Sequence, residues 1–414
     1  MSDVVDVLAK PEGFDRLVAR RDVRQRRPVV LFTRFPIPRT AAPATLCRVF
    51  FDHVLGAELL KLRLGIVGSG DHWAQRHRPA LQTLQDRFDV RAVFSPTVRR
   101  AVNVASEFQA DVVDGYRTMV RRSDIDAVLV LERSWLGWLP MLAAAEAGKA
   151  IYLGGPCDFD PRGDESVRAS IDRSGVSMMV EFPRRYAPAT LRLKELIATR
   201  LGNPSLIICD RRLSSDASDD ADVALRHRGE MIELIDWCRY VVGGLPTHVH
   251  SVGHEADEGH RDYQSLTLRF DPDPEKPSAS FQPSTDSDTS SAAPVQPIVA
   301  RLTCGSYLGP QWPESVAFQC PSAMQICCQR GIAFIDLPGS IVWFDQAGRH
   351  MENLESETPV GQRLLSQFHR AATSLLRNVG DLNDAFEAAR IYAAALQSEA
   401  DACQVSGPFV SPNG

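Results

Sequence analysis

The residues with the clearest chemical capacity form a short glycine turn, Gly68-Ser69-Gly70, directly after the apolar run Leu62 to Val67. A strand ending in Val67-Gly68 must turn sharply, and Gly70 lets backbone amides approach a pyrophosphate without a Cβ in the way. The turn, together with Asp71, His72 and Trp73 behind it, is the expected phosphate-binding group. Trp73 stands where a dinucleotide fingerprint usually has a small residue that packs helix on strand. At the end of the next apolar run, where an NAD site places Asp or Glu on the ribose, the chain has Ser95 and Thr97, then Arg99 and Arg100. Hydroxyls and a guanidinium fork suit a 2′-phosphate, and no carboxylate repels it. NADP(H) is therefore favoured over NAD(H). The alternative is that Arg99 and Arg100 merely solvate a helix face.

These residues need a scaffold that places strand ends side by side. From residue 62 short apolar runs alternate with amphipathic segments, which predicts βαβ units and a doubly wound parallel sheet. Strands are expected at 62–67, 90–94, 111–113, 127–131, 150–153 and 178–182. The helices between them are expected near 72–85, 101–108, 137–147 and 163–174. After residue 182 the pattern changes to runs of strands. They are expected near 205–209, 247–253, 263–270, 298–307, 314–320, 323–328, 332–335 and 341–345, with helices at 188–200, 229–242, 361–377 and 381–404. This predicts a second, α+β domain over 183–410 with a large, mainly antiparallel open sheet. Residues 271–297, rich in Pro, Ser, Asp and Thr, read as a disordered insertion. Residues 1–60 show no helical or strand period and read as a weakly ordered extension, and 61–182 as the dinucleotide-binding domain.

Composition narrows the class. The 414 residues allow two or three domains, and a formal net charge of -6 gives no footprint for nucleic acid. No apolar run approaches the ~18 residues of a membrane helix, so no membrane partner is expected. Nine scattered cysteines without C-x-x-C spacing argue against disulfides and zinc, and a reducing cytoplasm fits best. His248 and His250 alternate along an expected strand without a third ligand, so no metal is expected. Asp210, Asp216, Asp219, Asp220 and Asp222 read as a solvated acidic loop.

Several motifs together resemble the Gfo/Idh/MocA oxidoreductases, the glucose-fructose oxidoreductase and inositol dehydrogenase family. Over residues 62–410 they are Gly68-Ser69-Gly70, His77, Asp126-Ala127-Val128, Ala143-Ala144-Ala145-Glu146-Ala147-Gly148-Lys149 and Phe182-Pro183-Arg184-Arg185-Tyr186-Ala187-Pro188. Leu201-Gly202-Asn203-Pro204, Asp236, Gly243 and the alanine-rich stretch 384–399 follow in family order. The resemblance implies NAD or NADP in the first domain, and a sugar, cyclitol or related carbonyl compound oxidised or reduced against the sheet of the second. It also implies an acid–base group for the hydroxyl proton and a cation for the developing alkoxide. The family lysine falls on Gly155 in Leu153-Gly154-Gly155-Pro156, the histidine on Glu233, its paired aspartate on Gly229 and an upstream histidine on Gly137.

Two functional readings follow. In one, Glu233 replaces the histidine as general base, burial raising its pKa, while Arg184, Arg185 or His227 supplies positive charge. Arg184, Tyr186, His227 and Asp236 are then the expected substrate side, and Gly154, Gly155 and Pro156 join the cofactor side. In the other, the chain is a non-catalytic dinucleotide-binding regulator or scaffold. In both, the open sheet predicts a homodimer or homotetramer.

Overall fold

A computed structural model describes residues 15–21, 28–34, 61–133, 136–155, 159–213, 220–255, 261–272, 296–307, 322–374 and 380–409. The chain divides into two units, Met1–Leu60 and Lys61–Gly414. In the first, β1 (Asp15–Arg21) and β2 (Pro28–Arg34) pair antiparallel from Asp15 opposite Arg34 to Arg21 opposite Pro28. This differs from the expected lack of regular structure. Val29, Val30, Phe32 and Thr33 favour a strand by residue type even without alternation, and the pairing partner settles the conformation.

In the second unit, six strands form one parallel sheet: β3 (Leu62–Val67), β4 (Phe88–Phe94), β5 (Asp111–Val112), β6 (Ala127–Val130), β7 (Ala150–Leu153) and β8 (Met178–Val180). Their order is β5-β4-β3-β6-β7-β8, so the winding direction reverses between β3 and β6 and leaves a crevice at their carboxyl ends. Helices cover both faces, which is why β6 is buried at all four residues and reads as a continuous apolar run. A π turn, Trp73–His77, runs into α1 (Arg78–Thr83), followed along the chain by α2 (Val98–Phe108), α3 (Tyr116–Arg121), α4 (Leu139–Glu146) and α5 (Glu165–Ser174).

Beyond β8 come a short 3-10 turn, Pro183–Tyr186, and α6 (Pro188–Leu196). The second sheet has nine strands: β9 (Pro204–Arg212), β10 (His248–Glu255), β11 (Arg261–Phe270), β12 (Ile298–Gly305), β13 (Met324–Cys328), β14 (Gly331–Asp336), β15 (Ser340–Asp345), β16 (Gly348–Asn353) and β17 (Val405–Ser406). Their order is β16-β15-β14-β13-β9-β12-β11-β10-β17, and among the described residues β9 with β12 is the one parallel pair. Long helices α7 (Asp220–Val242) and α9 (Gly380–Ala400) pack together against this sheet. Trp237 on α7 is fully buried and donates its indole N–H to Thr190 Oγ1 at 3.0 Å.

The chain returns to the first domain near its end. Leu364, Leu365 and Phe368 of α8 (Val360–Thr373) join the core formed by Leu64, Ile66 and Leu129, so the Rossmann layer is completed by a helix from beyond residue 182. Other differences are local. Asp210 lies in β9, and Asp220 and Asp222 lie in α7, so the acidic stretch is not one loop; Asp216 and Asp219 lie outside the described residues. The polar first turns of α7 carry little apolar periodicity, which hid nine helical residues. The strand expected at 314–320 and residues 273–295 of the expected insertion also lie outside the described residues.

Candidate active site

At the crevice between β3 and β6, Gly68 and Gly70 adopt φ of 71° and 60°, the left-handed region that glycine enters freely. A Cβ on Gly68 would overlap Glu132, and one on Gly70 would overlap the Leu131 carbonyl oxygen. The amides of Ser69, Gly70, Asp71 and His72 donate to no acceptor among the described residues. Bare backbone with four successive unengaged amides fits a pyrophosphate. Trp73 turns its ring away: it meets Phe108 edge-on with centroids 6.0 Å apart, so its side chain packs the π turn on α2. At the end of β4, Ser95 Oγ accepts the Thr97 N–H at 3.2 Å, ordering the start of α2. Arg99 and Arg100 are exposed beside this turn, and Arg100 reaches Glu132 at 3.8 Å.

A cleft of about 360 Å³ joins the two sheets. Asp71, His72, Gly155 and Glu233, four residues expected from the sequence, line it together. His72 has a pKa pushed below the ordinary histidine value by burial and by the Arg76 charge. Gly154 and Gly155 leave the end of β7 without side chains, and Gly155 has a φ of 94°. Pro156 lies outside the described residues.

Arg184 bridges two carboxylates on α7, donating from Nη1 to Glu233 and from Nη2 to Glu230. Arg211 Nε adds a second bond to Glu230 at 3.2 Å. Burial opposes both negative charges, but the two do not share the guanidinia equally. Glu230 is held down at about 2 by Arg184 and Arg211, whereas burial and the Glu230 charge push Glu233 up to about 7 against the pull of Arg184. One carboxylate is thus ionised and the other poised near neutrality.

Four expected residues, Arg185, Asp236, His227 and Tyr186, are not brought to the cleft. Arg185 donates from Nε to Asp236 at 2.7 Å and from Nη1 to Asp384 at 2.7 Å, with its guanidinium over the rings of Phe182 and Tyr240. Arg185 and Asp236 therefore tie the 3-10 turn to α7 and α9. His227 points into the sheet, buried, with Nε2 3.2 Å from the Cys304 carbonyl oxygen. Tyr186 packs against the core that α8 closes.

The sequence reading missed Arg76 and Glu181, both of which line the cleft. Glu181 is 1% exposed; its Oε1 accepts from Arg76 Nη1, and its Oε2 lies 2.8 Å from His77 Nε2 and accepts the Tyr152 hydroxyl at 3.0 Å. Burial opposes its charge, yet His77 and Arg76 outweigh that and hold the pKa at about 2. The available signal was a carboxylate directly after the apolar strand Met178–Val180. Among the described residues no group of three His, Cys, Asp or Glu side chains is arranged to hold a metal, and no helix is long and apolar enough to cross a membrane.

Residues 62–182 match the model of an oxidoreductase family with an NAD-binding Rossmann fold. The chain is 28% identical over 195 residues to the inositol 2-dehydrogenase/D-chiro-inositol 3-dehydrogenase of Shouchella clausii, covering 46% of this chain and 56% of that protein. It is 23% identical over 219 residues to the uncharacterized oxidoreductase YrbE of Bacillus subtilis, covering 50% and 63%. It thus spans little more than half the length of these relatives. The fold matches that of an aldose-aldose oxidoreductase from Caulobacter crescentus, with a TM-score of 0.66 at 14% identity over 84% of this chain and all of that one. A levoglucosan dehydrogenase matches with a TM-score of 0.67 at 15% identity over 85% and 100%. With the glycine turn at the switch point of a six-stranded parallel sheet, residues 62–182 match the NAD-binding Rossmann domain of the Gfo/Idh/MocA oxidoreductases, and the open nine-stranded sheet behind it gives the remainder the fold of these structural neighbours.

Proposed function

We propose that the protein is an NAD(P)(H)-dependent oxidoreductase of a sugar, cyclitol or related small polyol or carbonyl compound, with Glu233 as its acid–base group. The observation that carries this reading is a buried carboxyl, poised at about 7, in the cleft that also takes in Asp71, His72 and Gly155 next to the glycine turn. Gly68 to Gly70 would hold the cofactor pyrophosphate, and Ser95, Thr97, Arg99 and Arg100 would hold the adenosine ribose, with NADP(H) favoured by these hydroxyls and guanidinia, although Arg100 also reaches the Glu132 carboxylate at 3.8 Å. When bound, the nicotinamide accepts or supplies the hydride. In the oxidative direction Glu233 takes the proton from the substrate hydroxyl as the C–H hydride departs, leaving a carbonyl; in the reductive direction it returns that proton. A pKa near the working pH makes both protonation states available. On this reading the protein works in the cytoplasm as a homodimer or homotetramer that covers the open sheet.

A second reading, a dinucleotide-binding regulator or scaffold, is favoured by one observation: Gly155 and Gly229 line the cleft without side chains. The two separate in one experiment. Titration with NADPH and NADH, followed by nicotinamide fluorescence, tests the cofactor site. Incubation with a polyol and sugar panel, followed by absorbance of the reduced nicotinamide, tests turnover. The oxidoreductase reading expects both signals; binding without turnover on any member of the panel refutes it in favour of the second.

A further inference from the structure

We propose that Arg76 is the cation that receives a negatively charged substrate oxygen in the cleft, and that Glu181 is its positioning residue; this rests on the oxidoreductase reading of the same cleft. Each of the cations expected from the sequence has another occupation. Arg184 bridges Glu230 and Glu233, Arg185 holds Asp236 and Asp384, and His227 faces the Cys304 carbonyl. Among the arginines that line the cleft, Arg76 alone comes from the Rossmann domain, where it shares the wall with Asp71, His72 and Gly155; the others belong to β9 and α7.

The setting of Arg76 is built from distant parts of the chain. Its Nη1 donates to Glu181, and its other N–H groups bond nothing else among the described residues, leaving donors for a ligand. Glu181 is itself fixed by His77 and Tyr152 on its second oxygen. On the other side, Gly361 of α8 packs directly on the backbone of Arg76: a Cβ there would stand 2.5 Å from the Arg76 carbonyl oxygen and 3.0 Å from its Cγ. Gly154 completes the arrangement, because a Cβ at that position would stand 2.8 Å from Glu181 Oε2 and 3.4 Å from His77 Nε2. Two glycines thus keep space for a clamped guanidinium. A guanidinium held by one edge presents its remaining donors in a fixed fork, which matches a carboxylate or a developing alkoxide better than a neutral hydroxyl. The ligand class that follows is a polyol carrying an oxyanion.

The test is calorimetric binding of D-gluconate and D-glucose to the full-length protein and to R76A, R76K and E181Q, with circular dichroism to confirm folding. The expected result is a preference of the wild type for gluconate, a loss of tenfold or more in gluconate affinity in R76A, and glucose affinity within threefold of wild type. R76K recovers part of the gluconate affinity and keeps the proposal testable should R76A not fold. E181Q retains the arginine yet lowers the gluconate preference without changing glucose binding, which a merely structural role would not do. Gluconate binding unchanged in R76A or in R76K, or no preference for gluconate in the wild type, overturns the assignment. Absence of turnover on any polyol refutes the oxidoreductase reading and leaves these binding results standing.

Discussion

Replacing Glu233 with Gln tests the electrostatics of the cleft most directly. Gln keeps the size and the acceptor oxygen that Arg184 Nη1 needs, but it is neutral at every pH. A carboxyl whose pKa rises from the ordinary 4.5 to about 7 on folding favours the folded state while protonated, and that advantage is lost as pH climbs between those values. At about 1.4 kcal/mol per pH unit, the ionised form above pH 8 penalises folding by about 3 kcal/mol. Glu233→Gln removes the penalty, so the variant should be more stable than wild type at pH 8.5, by up to about 3 kcal/mol, and close to wild type at pH 5. Urea denaturation of the cofactor-free protein at the two pH values reads this out as a midpoint increase on the order of 1 M at the higher pH only. A variant destabilised by a similar amount at both pH values would mean that Glu233 is an ionised partner of Arg184, and would refute the argument.

The remaining predictions concern the same cleft and its cradle. Glu181→Ala leaves His77 and Tyr152 buried beside a missing acceptor and should destabilise by about 3–5 kcal/mol in the same urea assay at pH 7. Because its folded pKa is about 2, the contribution of Glu181 is full above pH 4.5 and fades as pH falls toward 2, so acid unfolding of wild type should be steeper than that of Glu181→Gln. Gly70→Ala meets the Leu131 carbonyl at a φ of 60°, and fluorescence titration should show loss of NADPH and NADH binding alike. Gly155→Lys, the change that restores the family lysine, sits at a φ of 94° and should cost about 1–2 kcal/mol of stability by thermal melting while adding no activity. Arg99→Ala with Arg100→Ala should weaken NADPH about tenfold and leave NADH within twofold, measured by the same titration.

The βα alternation and the glycine turn were legible because a parallel strand covered on both faces is written as a local apolar run, and a turn that needs positive φ is written as glycine. The same holds for the later run of strands. Glu233 was legible as a candidate through its place in the family order. Its poise was expected from burial, but the division of charge with Glu230 was not, since it depends on Arg184 and Arg211 arriving from two other elements. The partners of Arg184, Arg185 and His227 were not legible for the same reason. Arg184, Arg185 and His227 are near the cleft in sequence terms, and nothing local tells which carboxylate each will meet.

What the sequence by itself determined was which segments are strands, where the backbone must be bare, and which side chains carry charge. What only the tertiary structure decided was the pairing of those charges and the closure of the first domain. Arg76 meets Glu181 across 105 positions and Arg185 meets Asp384 across 199, and α8 returns from beyond the second sheet to cover Leu64 and Ile66. Periodicity and turn chemistry act over a few residues and leave a trace in composition. An ion pair depends on distance in space, so its partner is fixed only when the sheet order and the helix packing have brought two remote strand ends together.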